Sequence, residues 1–343
     1  MKEVLRDPID RSALHVEPAG LRSATGRVYP ARAGGWDLRP EAAVTSPTAD
    51  GAHDAAHDAA HAAAQAEIYD AMTGELTDFD HPHNLTLLHQ RSLLEGLPLE
   101  SGDPVLEIGG HRSGVLGWLE RHRGAHGVGI DISPAWVAAQ NEVCLARGGR
   151  SIWVLGNAER LPFADRSFRA IVAFDVFEHL GNLRAALEEC VRVMQPGGTL
   201  VCHMPVADIG GSFDGFQRWM DAAGYAARQA SVGHYHERMP SRTKMRTLLE
   251  QAGFQVLDTR NFNVWLQPLH DHRLMPALGR LRHRRDKPTP KSAARTPLKT
   301  TASRFQRAYA ASVLPIARAL TAPDEFGALL GFGGSCSFVA KKP

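Results

Sequence analysis

Cysteine is scarce in this chain and is never paired at short spacing. Four cysteines occur in 343 residues, and no two of them form a C-x-x-C pair. Such wide spacing argues against a disulfide framework and against a cysteine-based zinc site. It fits reduced, buried thiols in a cytosolic protein. The four residues are Cys144, Cys190, Cys202 and Cys336.

Long apolar runs are also absent. No stretch of about 18 apolar residues occurs, so a membrane-spanning helix is not expected. The N-terminal stretch MKEVLRDPIDRSALH is charged throughout and contains no apolar signal region. We therefore expect a soluble, cytoplasmic protein without a membrane partner.

Neither sign of charge is in large excess. The chain has 39 lysines and arginines against 37 aspartates and glutamates, which gives a formal net charge of +2. This balance favours neither a small-molecule nor a nucleic-acid partner. The length and the 43% hydrophobic content are enough for one large core and a small additional domain.

From Glu67 onward, short runs rich in β-branched residues alternate with helical stretches such as PAWVAAQNEVCLARG. This alternation predicts an α/β fold with a doubly wound, mostly parallel sheet over residues 67–343. Two segments, at about 206–240 and 263–333, exceed what the architecture needs and are predicted insertions. The predicted strands are 105–108, 127–131, 151–156, 170–176, 199–205 and 255–260, with a last one in GGSCSFVAKKP.

The segment VLEIGGHRSG, residues 105–114, predicts a strand that enters a turn before a helix. In doubly wound sheets, ligands bind beyond the carboxyl ends of the strands. Asp131 ends the next predicted strand, 24 residues after Glu107, and a carboxylate there can accept hydrogen bonds from both ribose hydroxyls. The G-x-G-x-x-G pattern of an NAD site is absent. These features predict a ribose-bearing ligand other than NAD.

Four segments follow one another in a recognisable order. They are E-I-G (107–109), GVGIDIS (127–133), GNAERLPFADRSFRAIVAFDVFEHL (156–180) and QPGG (195–198). Together they resemble the motifs of class I S-adenosylmethionine-dependent methyltransferases, in which the first reads (D/E)-x-G-x-G-x-G and the last is a K-P-G-G turn before the fifth strand. The resemblance covers roughly residues 100–262 and the final strand.

The resemblance implies a Rossmann-like sheet of seven strands and S-adenosyl-L-methionine as the cofactor. In such a site Asp131 would hold the ribose, Ile132 would stack on the adenine, and Asn157 would accept a hydrogen bond from the adenine amine. Tyr69 would either close over the pocket or belong to the core. The implied cofactor-binding residues are Glu107, Gly109, Gly110, His111, Asp131, Ile132, Asn157, Ala158, Asp175 and Tyr69.

The first motif departs from the family pattern. The second and third family glycines fall on His111 and Ser113, while Gly110 lies one place before the first of these and Gly114 one place after the second. The loop is therefore either a cofactor cradle with a modified lining or a degenerate copy that does not bind. We predict a working cradle in which the imidazole of His111 lies near the methyl group.

Methyl transfer to a hydroxyl or carbon acid requires removal of a proton, and a histidine that titrates near neutrality is a suitable base. His179, in the E-H-L motif, is the first candidate, although in this family the position often only shapes the pocket. The further candidates are His111, His234 and His236. H-x-H pairs such as 234–236 also occur in metal sites, but no carboxylate partner is fixed by spacing, and we predict no metal.

The first 48 residues have short apolar pieces between turn residues, which predicts a small β-rich module. Tyr29-Pro30 and Leu38-Arg39-Pro40 resemble the end of a zinc-ribbon module that accompanies some methyltransferases. Asp7 and Asp10 occupy the places of its cysteines. Two aspartates make a poor zinc site, so we predict a module without metal. An unrelated β-rich leader is the alternative.

Two biased segments complete the chain. Residues 49–66 contain an H-D-A-A repeat, which is typical of a semi-rigid linker, although histidines at i, i+4 spacing can also bind a metal. Residues 280–299 hold eight lysines and arginines against one aspartate. Without interleaved aromatic residues this stretch favours a solvated loop over an RNA-binding segment.

The sequence therefore predicts a methyltransferase that acts on a small molecule in natural-product metabolism, with oxygen as the preferred acceptor. An RNA methyltransferase that uses residues 280–299 is the first alternative. A protein that binds the cofactor without catalysis, or serves as a scaffold, is the second. The sequence leaves the oligomeric state open.

Overall fold

A computed structural model describes residues 4–17, 20–32, 35–39, 77–110, 113–230, 239–275 and 304–343. A seven-stranded sheet in the order β10-β11-β9-β8-β5-β6-β7 forms its centre. Its strands are β5 (Pro104–Ile108), β6 (His126–Asp131), β7 (Ile152–Leu155), β8 (Phe168–Phe174), β9 (Met194–Pro205), β10 (Gln255–Phe262) and β11 (Ser335–Lys341).

The sheet confirms the predicted doubly wound, mostly parallel architecture. Strands β7, β6, β5, β8 and β9 are parallel neighbours, whereas β11 runs antiparallel to both β9 and β10. Strand β8 ends at Phe174, two residues before the predicted end, because Asp175 adopts a left-handed conformation with φ 55°. Strand β9 begins earlier than predicted, at Met194, and its pairing with β8 is irregular across residues 195–198.

Helices cover both faces of the sheet, and local capping residues define where several begin. Asn84, Ser133 and Asn182 each accept a hydrogen bond from a backbone N–H in the first turn of the helix that follows. The helices are α1 (Leu85–Glu95), α2 (Val115–Arg123), α3 (Pro134–Ala146), α4 (Leu183–Val193), α5 (Phe213–Met220), α6 (Ala222–Ala230), α7 (Arg242–Ala252), α8 (Arg304–Ala308), α9 (Leu314–Leu320) and α10 (Ala322–Leu329).

The predicted insertions leave the sheet at one edge. Helices α5 and α6 follow the carboxyl end of β9, and the segment between β10 and β11 contains a helical stretch, Leu266–Leu274, and helices α8 to α10. Among the described residues, every helix is too short or too polar to cross a bilayer.

The N-terminal module is a four-stranded antiparallel sheet of β1 (Leu14–Glu17), β2 (Gly20–Ser23), β3 (Val28–Arg32) and β4 (Gly35–Trp36). Its buried residues Leu5, Tyr29 and Leu38 share one hydrophobic core with Phe163 of the large domain. The backbone N–H of Leu38 donates to the carbonyl of Leu155, 2.7 Å away, and so covers part of the free edge of β7. The module thus contributes to the core of the larger domain.

Asp7 and Asp10, which stand in the places of the zinc-ribbon cysteines, are joined by a guanidinium. Nη1 of Arg27 lies 3.3 Å from Oδ2 of Asp7 and 2.5 Å from Oδ2 of Asp10. Tyr29 donates its hydroxyl to Asp7 at 3.0 Å, and Thr25 donates to Asp10 at 2.6 Å. Burial raises the pKa of Tyr29, and the charge of Asp7 raises it further, so the phenol keeps its proton.

Candidate functional site

Three strand ends lie side by side at the carboxyl edge of the sheet. Strand β5 lies between β6 and β8, and Ile108 pairs with Ile130 on one side and with Ala173 on the other. The residues that follow β5, β6 and β8 are therefore neighbours in space. This is the edge at which doubly wound sheets bind ligands.

The loop after β5 is closely packed from two sides. Gly109 has a φ of 72° and donates its N–H to the carbonyl of Ile130 at 2.8 Å. A Cβ at Gly109 would lie 2.4 Å from Cγ2 of Val176, and a Cβ at Gly110 would lie 1.9 Å from the ring of Trp153. Both positions therefore require glycine because protein side chains fill the space.

Gln140, on α3, fixes the two ends of this loop. Its buried Nε2 donates to the carbonyl of Gly110 at 2.9 Å and to that of Ser113 at 2.7 Å. Ser113 also donates its N–H to the Gly110 carbonyl, 2.6 Å away, which closes a turn. Sequence reasoning missed Gln140, and its one signal is a polar residue on the otherwise apolar buried face of α3.

Glu107 lies beneath the loop. Its carboxylate is buried and accepts a hydrogen bond from the backbone N–H of Leu116, 3.3 Å away, in the first turn of α2. Burial raises the pKa of Glu107 to about 8; hydrogen bonds from Ser113 and Leu116 oppose the rise, and the charge of Asp131 adds to it. The structure thus places Glu107 as an internal support for the start of α2.

Asp131 and Ile132 stand at the end of β6. Oδ1 of Asp131 accepts a hydrogen bond from the backbone N–H of Ser133 at 2.8 Å, which fixes the orientation of the carboxylate. Ile132 is half-buried. After β7, Oδ1 of Asn157 accepts from the N–H of Glu159 at 2.9 Å, and Ala158 is buried in the core. These predicted cofactor residues therefore line neighbouring strand ends.

The residues after β8 bring three ionisable groups together. Asp175 is exposed, and its Oδ2 accepts a hydrogen bond from Nε2 of Gln90 on α1 at 3.1 Å. Glu178 and His179 are on the short 3-10 helix Phe177–His179, with Nε2 of His179 3.6 Å from Oε1 of Glu178. Burial raises the pKa of Glu178, and the charge of Asp175 raises it further.

Several predicted residues lie outside the described part of the chain. They include the base candidates His111, His234 and His236 and the proposed pocket residue Tyr69. The predicted linker, residues 49–66, and the basic stretch, residues 280–299, lie outside it as well. Within the ranges that the structure does describe, no group of three or more His, Cys, Asp or Glu side chains is arranged to hold a metal ion.

The known proteins that this chain is similar to are named as methyltransferases. Residues 106–202 match the family model of a methyltransferase domain. A demethylmenaquinone methyltransferase of Tropheryma whipplei is 27% identical over 194 residues, which cover 53% of this chain and 78% of that protein. A ubiquinone/menaquinone biosynthesis C-methyltransferase of Brucella canis is 29% identical over 170 residues, covering 43% of this chain and 60% of that protein.

The fold also matches a solved structure of different named activity. The crystal structure of the cyclase SpnF aligns with a TM-score of 0.50 at 18% identity, over 87% of this chain and 98% of that one. This likeness concerns the fold alone, since one fold can carry different reactions.

Proposed function

Because the chain is a class I S-adenosylmethionine-dependent methyltransferase, we propose that it methylates a hydroxyl oxygen on a small molecule with an apolar body. The cofactor, when bound, supplies a methyl group on a positively charged sulfur. We place the enzyme in the cytoplasm and in natural-product metabolism. Both insertions enlarge the edge of the sheet at which substrates bind, and substrate specificity commonly resides in such additions.

The residues at the carboxyl edge fit this cofactor. Asp131 presents a carboxylate held by the N–H of Ser133, as recognition of two ribose hydroxyls requires. Gln140 holds the carbonyls of Gly110 and Ser113, so these two residues of the loop are fixed in position. We assign Asp131 to the ribose, Ile132 and Asn157 to the adenine, and the loop to the methionine portion.

The observation that carries the proposal is that Asp175 is exposed and has a left-handed backbone conformation. Its carboxylate is exposed, whereas Glu107 and Glu178 are buried. A left-handed conformation is costly for a residue other than glycine, and such strain is concentrated at functional sites. Asp175 adopts this conformation next to Val176, whose side chain lies against Gly109.

The acceptor oxygen gains the methyl group and must lose its proton, while the carbon–sulfur bond breaks. We propose that the carboxylate of Asp175 takes this proton. His179, the base predicted from the sequence, has a side chain that is only 9% exposed and lies against Glu178. That position suits a residue that shapes the pocket behind Asp175.

An exposed apolar surface on the insertions supports an apolar substrate. We define the aromatic patch as Phe216, Trp219, Met220, Trp265 and Leu266, all exposed. The rings of Phe216 and Trp265 lie 5.5 Å apart and those of Phe216 and Trp219 6.1 Å apart, so residues from both insertions form one surface. We propose that this patch receives the apolar body of the acceptor. The Tropheryma whipplei relative is likewise named for a quinone substrate.

The test is an assay with S-adenosylmethionine and 4-alkylphenols of increasing chain length, with the product identified by mass spectrometry and NMR. We expect a methyl ether and a kcat/KM that rises with chain length. Asp175→Asn should lower kcat by about 100-fold, since a general base contributes at least that much. Its cofactor Kd should change less than about twofold.

Two results would overturn the proposal. A cofactor Kd that rises strongly in Asp175→Asn would return this residue to cofactor binding, as the sequence predicted. A methyl group found on ring carbon would replace the oxygen assignment. For the aromatic patch, Trp219→Ser should raise KM for the longest alkylphenol about tenfold, whereas Leu145→Ser, exposed on α3 outside both insertions, should leave it unchanged.

A further inference from the structure

Three polar side chains from separate elements meet behind Asp175. Nε2 of His89, on α1, lies 2.8 Å from Oγ of Ser337 on β11. Nδ1 of His203, on β9, lies 2.8 Å from the same oxygen. Ser337 and His203 are buried, and 248 residues of sequence separate His89 from Ser337.

A single hydroxyl group thus bridges two imidazole rings. Burial lowers the pKa of His203 to about 4. Burial also lowers the pKa of His89 to about 3, and the charges of His203 and Arg260 lower it further. Both rings are neutral at pH 7, so each has one N–H and one bare nitrogen. Since Ser337 has one proton to donate, at most one ring accepts from it, and at least one ring donates to its oxygen.

The ring of Phe262, at the end of β10, packs against the imidazoles of both His89 and His203. His89 stacks on Phe262 with a centroid distance of 4.4 Å and an interplanar angle of 15°. His203 meets the same ring edge-on at 6.2 Å and 74°. These contacts restrict both imidazoles to orientations in which they meet Ser337.

Each of the two histidines is connected to Asp175, one through a neighbouring residue and the other through its own backbone. Gln90, next to His89 on α1, donates its Nε2 to Oδ2 of Asp175 at 3.1 Å. The carbonyl of His203 accepts the backbone N–H of Asp175 at 2.7 Å. The contacts form a closed circuit from the carboxylate through α1, Ser337 and β9 to the backbone of Asp175.

We propose that Ser337 is a positioning residue that holds the carboxylate of Asp175 in its orientation at the site. It does so by joining α1, which contacts the carboxylate, to β9, which contacts the backbone. This inference rests on the proposed function, in which Asp175 takes the proton of the acceptor.

The test compares Ser337→Ala with Ser335→Ala, a matched control on the same strand. Ser335 is also buried, and its Oγ accepts a hydrogen bond from Asn263 at 3.1 Å. We expect Ser337→Ala to lower kcat about tenfold, because a small displacement of a catalytic group has effects of this order. KM and Kd for the cofactor should stay within about twofold. Ser335→Ala should retain its kcat.

A second variant distinguishes the loss of the hydrogen bond from a general loss of packing. His89→Phe preserves stacking on Phe262 but removes Nε2, and it should lower kcat to the same extent as Ser337→Ala. The double variant should show no further loss, because both changes break the same circuit. Nitrogen NMR of the wild type should show the two histidines neutral, with at least one of the two nitrogens facing Ser337 protonated.

The outcomes separate this inference from the proposed function. If Asp175→Asn lowers kcat but Ser337→Ala does not, the positioning role is wrong and the proposed function stands. If Asp175→Asn leaves kcat unchanged, the proposed function fails. Equal losses in Ser337→Ala and Ser335→Ala, or additive losses in the double variant, would also overturn the inference.

Discussion

The N-terminal module and the carboxyl edge of the sheet both contain aspartates, but in opposite surroundings. In the module, Asp7 and Asp10 are joined to one another by Arg27 and contacted by Tyr29 and Thr25. At the carboxyl edge, Asp175 is left exposed although the structure around it is tightly bonded.

The difference indicates which kind of property each group of aspartates affects. In the module, the guanidinium of Arg27 pairs with both carboxylates and offsets part of their charge. At the edge, buried groups such as Gln140 hold the loop, while a carboxylate stays accessible. We therefore expect substitutions in the module to change stability and substitutions at the edge to change binding or turnover.

The largest effect is expected for Asp7→Ala in the module. Asp7 is fully buried, and its removal leaves the Tyr29 hydroxyl without its acceptor and Arg27 with Asp10 as its one remaining carboxylate. The free energy of unfolding should fall by about 3–5 kcal/mol, as when a buried ion pair loses one member. Chemical denaturation followed by circular dichroism measures it. Asp10→Ala is the control and should cost less, since Asp10 is partly exposed; equal losses would contradict the comparison.

Asp131→Ala should act on the cofactor. Loss of a charge-assisted contact with the ribose should cost about 1.5–3 kcal/mol, or ten- to a hundredfold in affinity. Calorimetry with S-adenosylmethionine gives the Kd, and Asp165→Ala, an exposed aspartate beside Arg192, is the control. An unchanged Kd in Asp131→Ala would refute the assignment of this carboxylate.

Glu107 should make stability depend on pH. Its folded pKa, about 8, lies above the ordinary value of 4.5, so the folded state holds the proton more tightly than the unfolded state. The stabilisation is complete below pH 4.5 and is lost as pH rises through 8, with a slope of at most about 1.4 kcal/mol per pH unit. Denaturation at pH 5 to 8 tests this. Glu107→Gln should remove this part of the slope, and an unaltered slope would contradict the buried, protonated state.

We expect a metal chelator to have no effect on stability, which makes this the smallest of the predicted effects. Because the guanidinium of Arg27 already pairs with both aspartates, dialysis against EDTA should leave the melting temperature unchanged. Elemental analysis should find no tightly held zinc. One zinc per chain, lost when residues 1–48 are removed, would show that the module still binds metal.

Much of the architecture followed from the sequence because its signals are local. The alternation of strand and helix patterns and the order of the motifs gave the parallel sheet, the cofactor class and the position of Asp131 at a strand end. The glycines in the sequence also predicted the position of the loop after β5 correctly. The reason for Gly110, however, is the ring of Trp153, a residue 43 positions away on another strand.

What only the tertiary structure decided depends on contacts between residues far apart in the chain. No sequence window predicts that Arg27 lies between Asp7 and Asp10, that Gln140 holds the loop at Gly110, or that the site includes Gln90. The sequence determined which chemical groups stand at strand ends, because strand ends are set by local patterns. Folding determined which of those groups are buried and which one, Asp175, faces solvent, because burial depends on the packing of distant elements.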